Sequence, residues 1–260
     1  MQALSLNQPL NTKAVFTTGI LKMLEFFKFT LPSGRSNTKP DKSSTAYLLH
    51  LAGKGQTVFK IGPHEASTLY FLSQKVGDAG KVVVFEPHAN LNLYLTEIKQ
   101  LLSWSNVIIE HTPLLQKRTP QPVTLTKKDK TAIKGATVIS IDAKYKKGAA
   151  KAEDRASIDK YCLAKNTYPD LLRIDANGEE FDVITGAIET IKTHKPKVVV
   201  SCDERKAGKE KIQAMFRLLI ALNYKGYFLL DSMLLPLENF DFDVYQNSYA
   251  DFYCNVFVFI

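Results

Sequence analysis

The chain has 260 residues, 45% of them hydrophobic and 10% aromatic, which suits one sizeable globular core and excludes wholesale disorder and a fibrous architecture. Its formal net charge is +8, yet only six of its 34 basic residues are Arg; Lys is the commoner solubilising charge, so no nucleic-acid partner is expected. Three widely spaced cysteines, Cys162, Cys202 and Cys254, offer neither a CxxC nor a metal-caging spacing, so no metal site is expected and a reduced, cytoplasmic setting fits best.

From Asn11 to Leu31, Phe16, Ile20, Leu24, Phe27 and Leu31 recur at spacings of three and four, which predicts an amphipathic helix. Lys13, Lys22 and Lys28 on its flanks suit either a cap on the domain core or peripheral contact with an acidic membrane surface. No apolar run approaches the ~20 residues that span a bilayer, and Lys22 and Glu25 interrupt the segment too early for an export signal. Pro32 to Ser44 has the composition of an exposed connector, which puts the helix and linker at 1–44 and the main domain at 45–260.

Beyond Thr45, β-branched runs alternate with helical patterns. Strands are expected at Thr57–Ile61, Val82–Phe85, Val107–Ile109, Leu171–Ile174 and Val198–Ser201, and helices at Thr68–Val76, Leu91–Leu102, Glu180–Lys192 and Glu210–Leu222. The strands nearly lack polar alternation, so they are buried on both faces of a mostly parallel sheet, and the fold class is a doubly wound, Rossmann-like α/β. Gly226–Leu230 and Phe252–Phe259 finish the chain as strands without a helix between them, which predicts an antiparallel hairpin at the sheet edge. Between Thr112 and Ile158 lie short strand-like runs at 123–125 and 137–141 in Lys-rich loops, an insertion that could form the acceptor side of a pocket.

Open α/β sheets bind ligands at the carboxyl ends of their strands, which gathers the loops after Ile61, Phe85, Ile109 and Ile174. Gly62 permits a tight turn and close approach of a ligand. Glu86, at its strand end, suits the two hydroxyls of a ribose, or it is a solvated terminus. Asp175 faces the pocket, Asn177 and Gly178 make a turn, and Glu180 sits at the positive end of the next helix, where it is either functional or a helix-end charge. His64 is a base, an adduct-positioning donor or a loop histidine bonded to nearby backbone.

Three of these loops, with the end of the chain, resemble the FkbM-type methyltransferases. The resemblance runs from Thr57 to Ile260 and is carried by Val82-Val83-Val84-Phe85-Glu86-Pro87, by Asn106-Val107-Ile108-Ile109-Glu110, by Leu171-Leu172-Arg173-Ile174-Asp175 with Gly178, Glu180 and Gly186-Ala187, and by Cys254-Asn255-Val256-Phe257. It implies a class I methyltransferase fold and transfer of a methyl group from S-adenosylmethionine to a hydroxyl of a sugar or natural-product acceptor. Lys60, Gly62, His64, Glu86, Glu110 and Asp175 are then the candidate cofactor-binding residues, and Asp175, Glu180 and His64 the candidate catalytic ones. The chain departs from the family pattern at Lys60, where an acid is usual, at Ala66 for a glycine, at Asn177 for a glutamate and at Arg173 for a lysine. A Lys⁺ about 6 Å from the donor's sulfonium or ammonium repels each by roughly 2 to 3 kcal/mol at an effective dielectric near 20. The penalty disappears if Lys60 turns away, pairs with Glu65 or Glu86, or loses its proton on burial. Two other readings stand beside the enzyme: a catalytically inactive methyltransferase-fold binding protein, and a nicotinamide-dependent oxidoreductase, which the missing glycines oppose.

Overall fold

In a computed structural model of the chain, residues 42–62, 65–111, 114, 156–230, 232–246 and 253–260 are described. The N-terminal helix expected at Asn11–Leu31, its linker, His64 and the strand-like runs of the insertion lie outside these residues. Among them the chain alternates helix and strand as α1 (Lys42–Leu51), β1 (Thr57–Ile61), α2 (Ala66–Val76), β2 (Lys81–Phe85), α3 (Ala89–Leu101), β3 (Val107–Glu110), α4 (Ile158–Lys165), β4 (Leu171–Ile174), α5 (Glu180–Thr185), α6 (Ile188–His194) and β5 (Lys197–Ser201). It continues through α7 (Glu204–Ala207), α8 (Lys209–Ala221), β6 (Gly226–Leu230), β7 (Met233–Pro236), a 3-10 turn at Leu237–Asn239, α9 (Phe242–Tyr245) and β8 (Val256–Phe259). No helix among the described residues is long and apolar enough to cross a membrane.

The strands form one eight-stranded sheet in the order β3-β2-β1-β4-β5-β8-β6-β7. Pairing is parallel from β3 through β5 and antiparallel from β5 through β8 and β6 to β7. Successive side chains of a strand point to opposite faces, and this alternation divides the core in two. Phe59, Val83, Phe85, Leu172, Ile174 and Val198 join residues of α4, α5, α6 and α8 in one cluster. Val58, Val82, Val84, Leu171 and Val199 join residues of α1, α2 and α3 in the other. Apolar side chains on both faces of each strand are thus accounted for by helices on both sides of the sheet.

The order of the sheet places the switch point between β1 and β4, where crossovers change sides. Ile61 stands level with Phe85 on one side and with Ile174 on the other. The residues that follow them, Gly62, Glu86 and Asp175, therefore leave three adjacent strands at one edge.

Three expectations are corrected. The helix expected over Glu180–Lys192 is broken into α5 and α6, because Gly186 is a poor helix former and because Asp159 on α4 caps the second helix, accepting from Glu189 N at 3.1 Å and Thr190 N at 2.8 Å. The last strand begins at Val256 rather than Phe252, since Cys254 donates its N–H to Tyr245 O instead of to a neighbouring strand. The predicted antiparallel partnership of the two terminal strands is present as β6 with β8, but it is not at the margin of the sheet: β8 lies between β5 and β6, and β7 forms the edge. β7 is a four-residue run ending in Pro236, the residue an edge strand tolerates. α1 has no counterpart in the sequence reading.

Candidate functional site

Gly62 carries φ +105°, and a Cβ placed on it would lie 1.9 Å from the carbonyl oxygen of Asp175. Only glycine fits, both for its backbone conformation and for the contact. Asp175 N donates to Ile61 O at 3.0 Å, so the ends of β1 and β4 touch through their backbones. The Asp175 side chain is about a third exposed.

Glu180 braces the loop that follows. Its Oε1 accepts from Ala176 N at 3.0 Å and Gly178 N at 2.9 Å, which holds the turn made by Asn177 and Gly178 at φ +53° and +102°. The residue is 2% exposed and its Oε2 has no hydrogen-bond partner. Burial raises its pKa, partly offset by the loop amides. Glu180 is thus engaged with its own loop, while Asp175 is the part-exposed carboxylate beside it.

Glu86 is 3% exposed. Its Oε1 accepts from His88 N at 2.8 Å and meets His88 Nδ1 at 2.9 Å, which folds the β2–α3 connection around the carboxylate. Glu110, beside it on β3, accepts from Tyr161 Oη at 3.0 Å. The Tyr161 ring packs edge-on against Phe59 and Phe85, with centroids at 5.6 and 4.9 Å. Burial first, then the Glu110 carboxylate, raises the Tyr161 hydroxyl's pKa. Glu110 is therefore turned toward the α4 side of the sheet.

Lys60 is buried at 6% exposure as the last residue but one of β1, with Val84 and Arg173 as its neighbours in register. Burial, then the nearby Arg173, lowers its pKa to about 8, against the opposing pull of Asp175, Glu65 and Glu86. Arg173 is itself buried; it donates to Ser201 Oγ at 2.7 Å and Ile174 O at 3.1 Å and stands 4.0 Å from Asp175 Oδ2. Two cations and three carboxylates thus share the edge.

One feature of this edge was missed from the sequence. Asp203, two residues past β5, is buried and accepts from Arg205 Nε at 2.9 Å and from Tyr253 Oη, while Arg205 also donates to Tyr253 Oη at 2.8 Å. Burial alone would raise the Asp203 pKa, but the hydrogen bonds from Arg205 and Tyr253 outweigh it and hold it at about 2. An acid just past a strand end was the available signal; its tyrosine partner lies 50 positions away. Among the described residues no group of three or more His, Cys, Asp or Glu side chains is arranged to hold a metal. A separate groove of about 620 Å³ opens at the opposite edge, where β6 begins, between Phe216, Arg217, Tyr224, Tyr227 and Leu237; none of the candidate residues lines it.

Fold and edge define a doubly wound α/β protein whose candidate residues gather where such sheets bind ligands. The chain belongs to the methyltransferase FkbM domain family, whose sequence profile matches residues 43–229. No curated protein matches the chain. Among solved structures it is similar to the methyltransferase FkbM of Methylobacillus flagellatus KT at 13% identity and TM-score 0.48, over 96% of this chain and 60% of that one. It is also similar to an O-methyltransferase of Bacillus cereus in complex with SAH at 10% identity and TM-score 0.48, over 98% and 92% of the two chains. A SAM-dependent O-methyltransferase of Thermotoga maritima aligns at 13% identity and TM-score 0.46, over 87% and 68%.

Proposed function

We propose that this chain is an S-adenosylmethionine-dependent O-methyltransferase of the cytoplasm, acting on a hydroxyl of a sugar or natural-product acceptor. The observation that carries the reading is the convergence of Gly62, Glu86 and Asp175 on adjacent strand ends, with Gly62 in backbone contact with Asp175. A site there has a glycine turn at Gly62 that joins the ends of β1 and β4, an acid for the ribose at Glu86, and a part-exposed carboxylate at Asp175 for the acceptor. When bound, the donor supplies an electrophilic methyl group on a sulfonium. Transfer to oxygen would need chiefly in-line positioning, with Asp175 placed to take the acceptor's hydroxyl proton as the oxygen–methyl bond forms, the methyl–sulfur bond breaks and the sulfur leaves as an uncharged thioether. Glu180 serves this step by fixing the 176–178 turn. Glu110, held by Tyr161, closes the side of the adenosine end.

The charge at Lys60 favours a second reading, a binding protein that has kept the fold and lost the donor. Calorimetry with S-adenosylmethionine and S-adenosylhomocysteine separates the two, followed by transfer of a labelled methyl group to a panel of hydroxylated acceptors. The enzyme reading expects both ligands to bind, the donor weakly, with Lys60→Asp tightening the donor at least about tenfold. If neither ligand binds the native chain or Lys60→Asp, the binding-protein reading replaces it.

A further inference from the structure

Asp175, assigned above to the acceptor, has β1 on one side and β5 on the other, since Ile174 stands level with both Ile61 and Val200. The chain leaves β5 through Asp203 into α7, and α7 lies against the turn that follows Asp175: a Cβ on Gly178 would come within 2.7 Å of Lys206 O. Next to Lys206 stands Arg205, whose side chain is 54% exposed and whose guanidinium lies over the Tyr253 ring, 4.9 Å from its centroid. Three of its five N–H groups are committed, Nε to Asp203 Oδ1 and Nη2 to both Asp203 Oδ2 and Tyr253 Oη. Among the described residues none bonds to Nη1. Buried Gln246 fixes the cluster from below: it accepts from Glu204 N at 2.8 Å and donates to Cys202 O at 2.9 Å and Cys254 O at 3.0 Å. One amide thereby joins the segments that carry Asp203, Arg205 and Tyr253.

Resting on the assignment of Asp175 to the acceptor, we propose that Arg205 is a specificity-determining residue, which donates through Nη1 to the hydroxyls of an uncharged sugar and discriminates against carboxylated and phosphorylated sugars. A carboxylate or phosphate is held best by two parallel N–H groups of one guanidinium. Here the Nε–Nη2 side belongs to Asp203, and the second Nη2 hydrogen goes to Tyr253, so no fork remains. The guanidinium's charge is answered as well, by a carboxylate whose side chain is only 10% exposed, and an incoming anion gains little from it. What is left is a pair of donors on an arm already ordered by its partners. Donors fixed in advance bind without the usual loss of side-chain freedom, and two of them on one nitrogen suit the neighbouring hydroxyl oxygens of a sugar.

The test is saturation-transfer NMR on the full chain loaded with S-adenosylhomocysteine, with glucose, galactose and mannose as neutral probes and the uronate and 6-phosphate of each as charged ones. At least one hexose is expected to bind the native protein about tenfold more tightly than its uronate and its phosphate. Arg205→Lys keeps a cation for Asp203 but has no arm left for a ligand; it should weaken that hexose at least about fivefold and leave S-adenosylhomocysteine binding unchanged. Asp203→Asn removes the answering charge and loosens the fork, so the charged sugars should now bind more tightly than the hexose. Tyr253→Phe, which returns one Nη2 hydrogen to the Nη1 side, should narrow the same gap if Asp203→Asn does not fold. A cluster with a merely structural role would weaken all the sugars together and leave their order as it was. An order that stays the same in the native protein and all the variants overturns the inference, and so does failure of every sugar to bind the loaded native chain; both leave methyl transfer to another hydroxylated acceptor standing. Failure of S-adenosylhomocysteine itself to bind would remove the proposed function, and with it the inference that rests on it.

Discussion

Two charged clusters stand at the same edge of the sheet and are built on opposite terms. At Asp203 one buried carboxylate is matched by a guanidinium and a phenol, and its charged form is favoured so strongly that its pKa falls to about 2. At Lys60 burial and a second cation, Arg173, disfavour the charged form and bring the pKa down to about 8, although three acids stand nearby. The first cluster ties Tyr253, just before β8, to the end of β5 and strengthens the fold. The second costs stability, since its charged form is the one that burial disfavours.

The largest effect expected is at the joint from which the Lys60 edge is built. Gly62→Ala puts a Cβ into the Asp175 carbonyl, and chemical denaturation should show a loss of about 3 kcal/mol or more. A loss below about 1 kcal/mol would mean that the ends of β1 and β4 can separate, and the two clusters would then not share a rigid edge.

Next comes the pH dependence of stability, which should rise with pH at both clusters but in separate windows, an acidic one for Asp203 and an alkaline one for Lys60. Lys60 has a folded pKa of about 8 against about 10.4 unfolded. The unfolded state binds more protons between these values, so stability should rise with pH through the window, by about 2 to 3 kcal/mol at most. Lys60→Met should abolish that rise. Asp203 has a folded pKa of about 2 against about 3.9 unfolded. Its contribution is present above the unfolded value and fades as pH falls through the folded one. Asp203→Asn should therefore destabilise by about 2 kcal/mol at pH 7 and lose its effect near pH 2. If Asp203→Asn is silent at pH 7, the contrast between the clusters fails.

The smallest effect is at Glu180. Glu180→Gln keeps the acceptor oxygen for Ala176 N and Gly178 N, so stability should change by less than about 0.5 kcal/mol and methyl transfer should survive. A stable variant that has lost transfer would restore to Glu180 the catalytic role the sequence reading gave it and demote Asp175.

The parallel half of the sheet was readable because runs such as Val82 to Phe85 and Leu171 to Ile174 have no polar face to show to water, and their ends fix where ligand loops must lie. Gly62, Glu86 and Asp175 were found by that rule alone. What could not be read depends on partners distant in sequence. Asp159 caps α6 from another helix, Tyr253 completes the Asp203 cluster from beyond α9, and Glu180 turns inward because two amides of its own loop claim it. Lys60 was conspicuous as a residue, but Arg173 at the same level on β4 follows only from strand register. β7 is too short, and too close to Pro236, to declare itself by pattern.

The insertion of β8 between β5 and β6 sets an order of events during synthesis. When the ribosome has made β5, β6 and β7, the two halves of the final sheet have no strand to join them. β5 then shows an open edge rich in valine, and the β6–β7 hairpin can pair only with itself. Exposed edges of this kind recruit other chains. The nascent protein is thus most exposed to edge-to-edge association in the interval before residues 256–259 emerge, and pairing of β8 with β5 and β6 closes the gap.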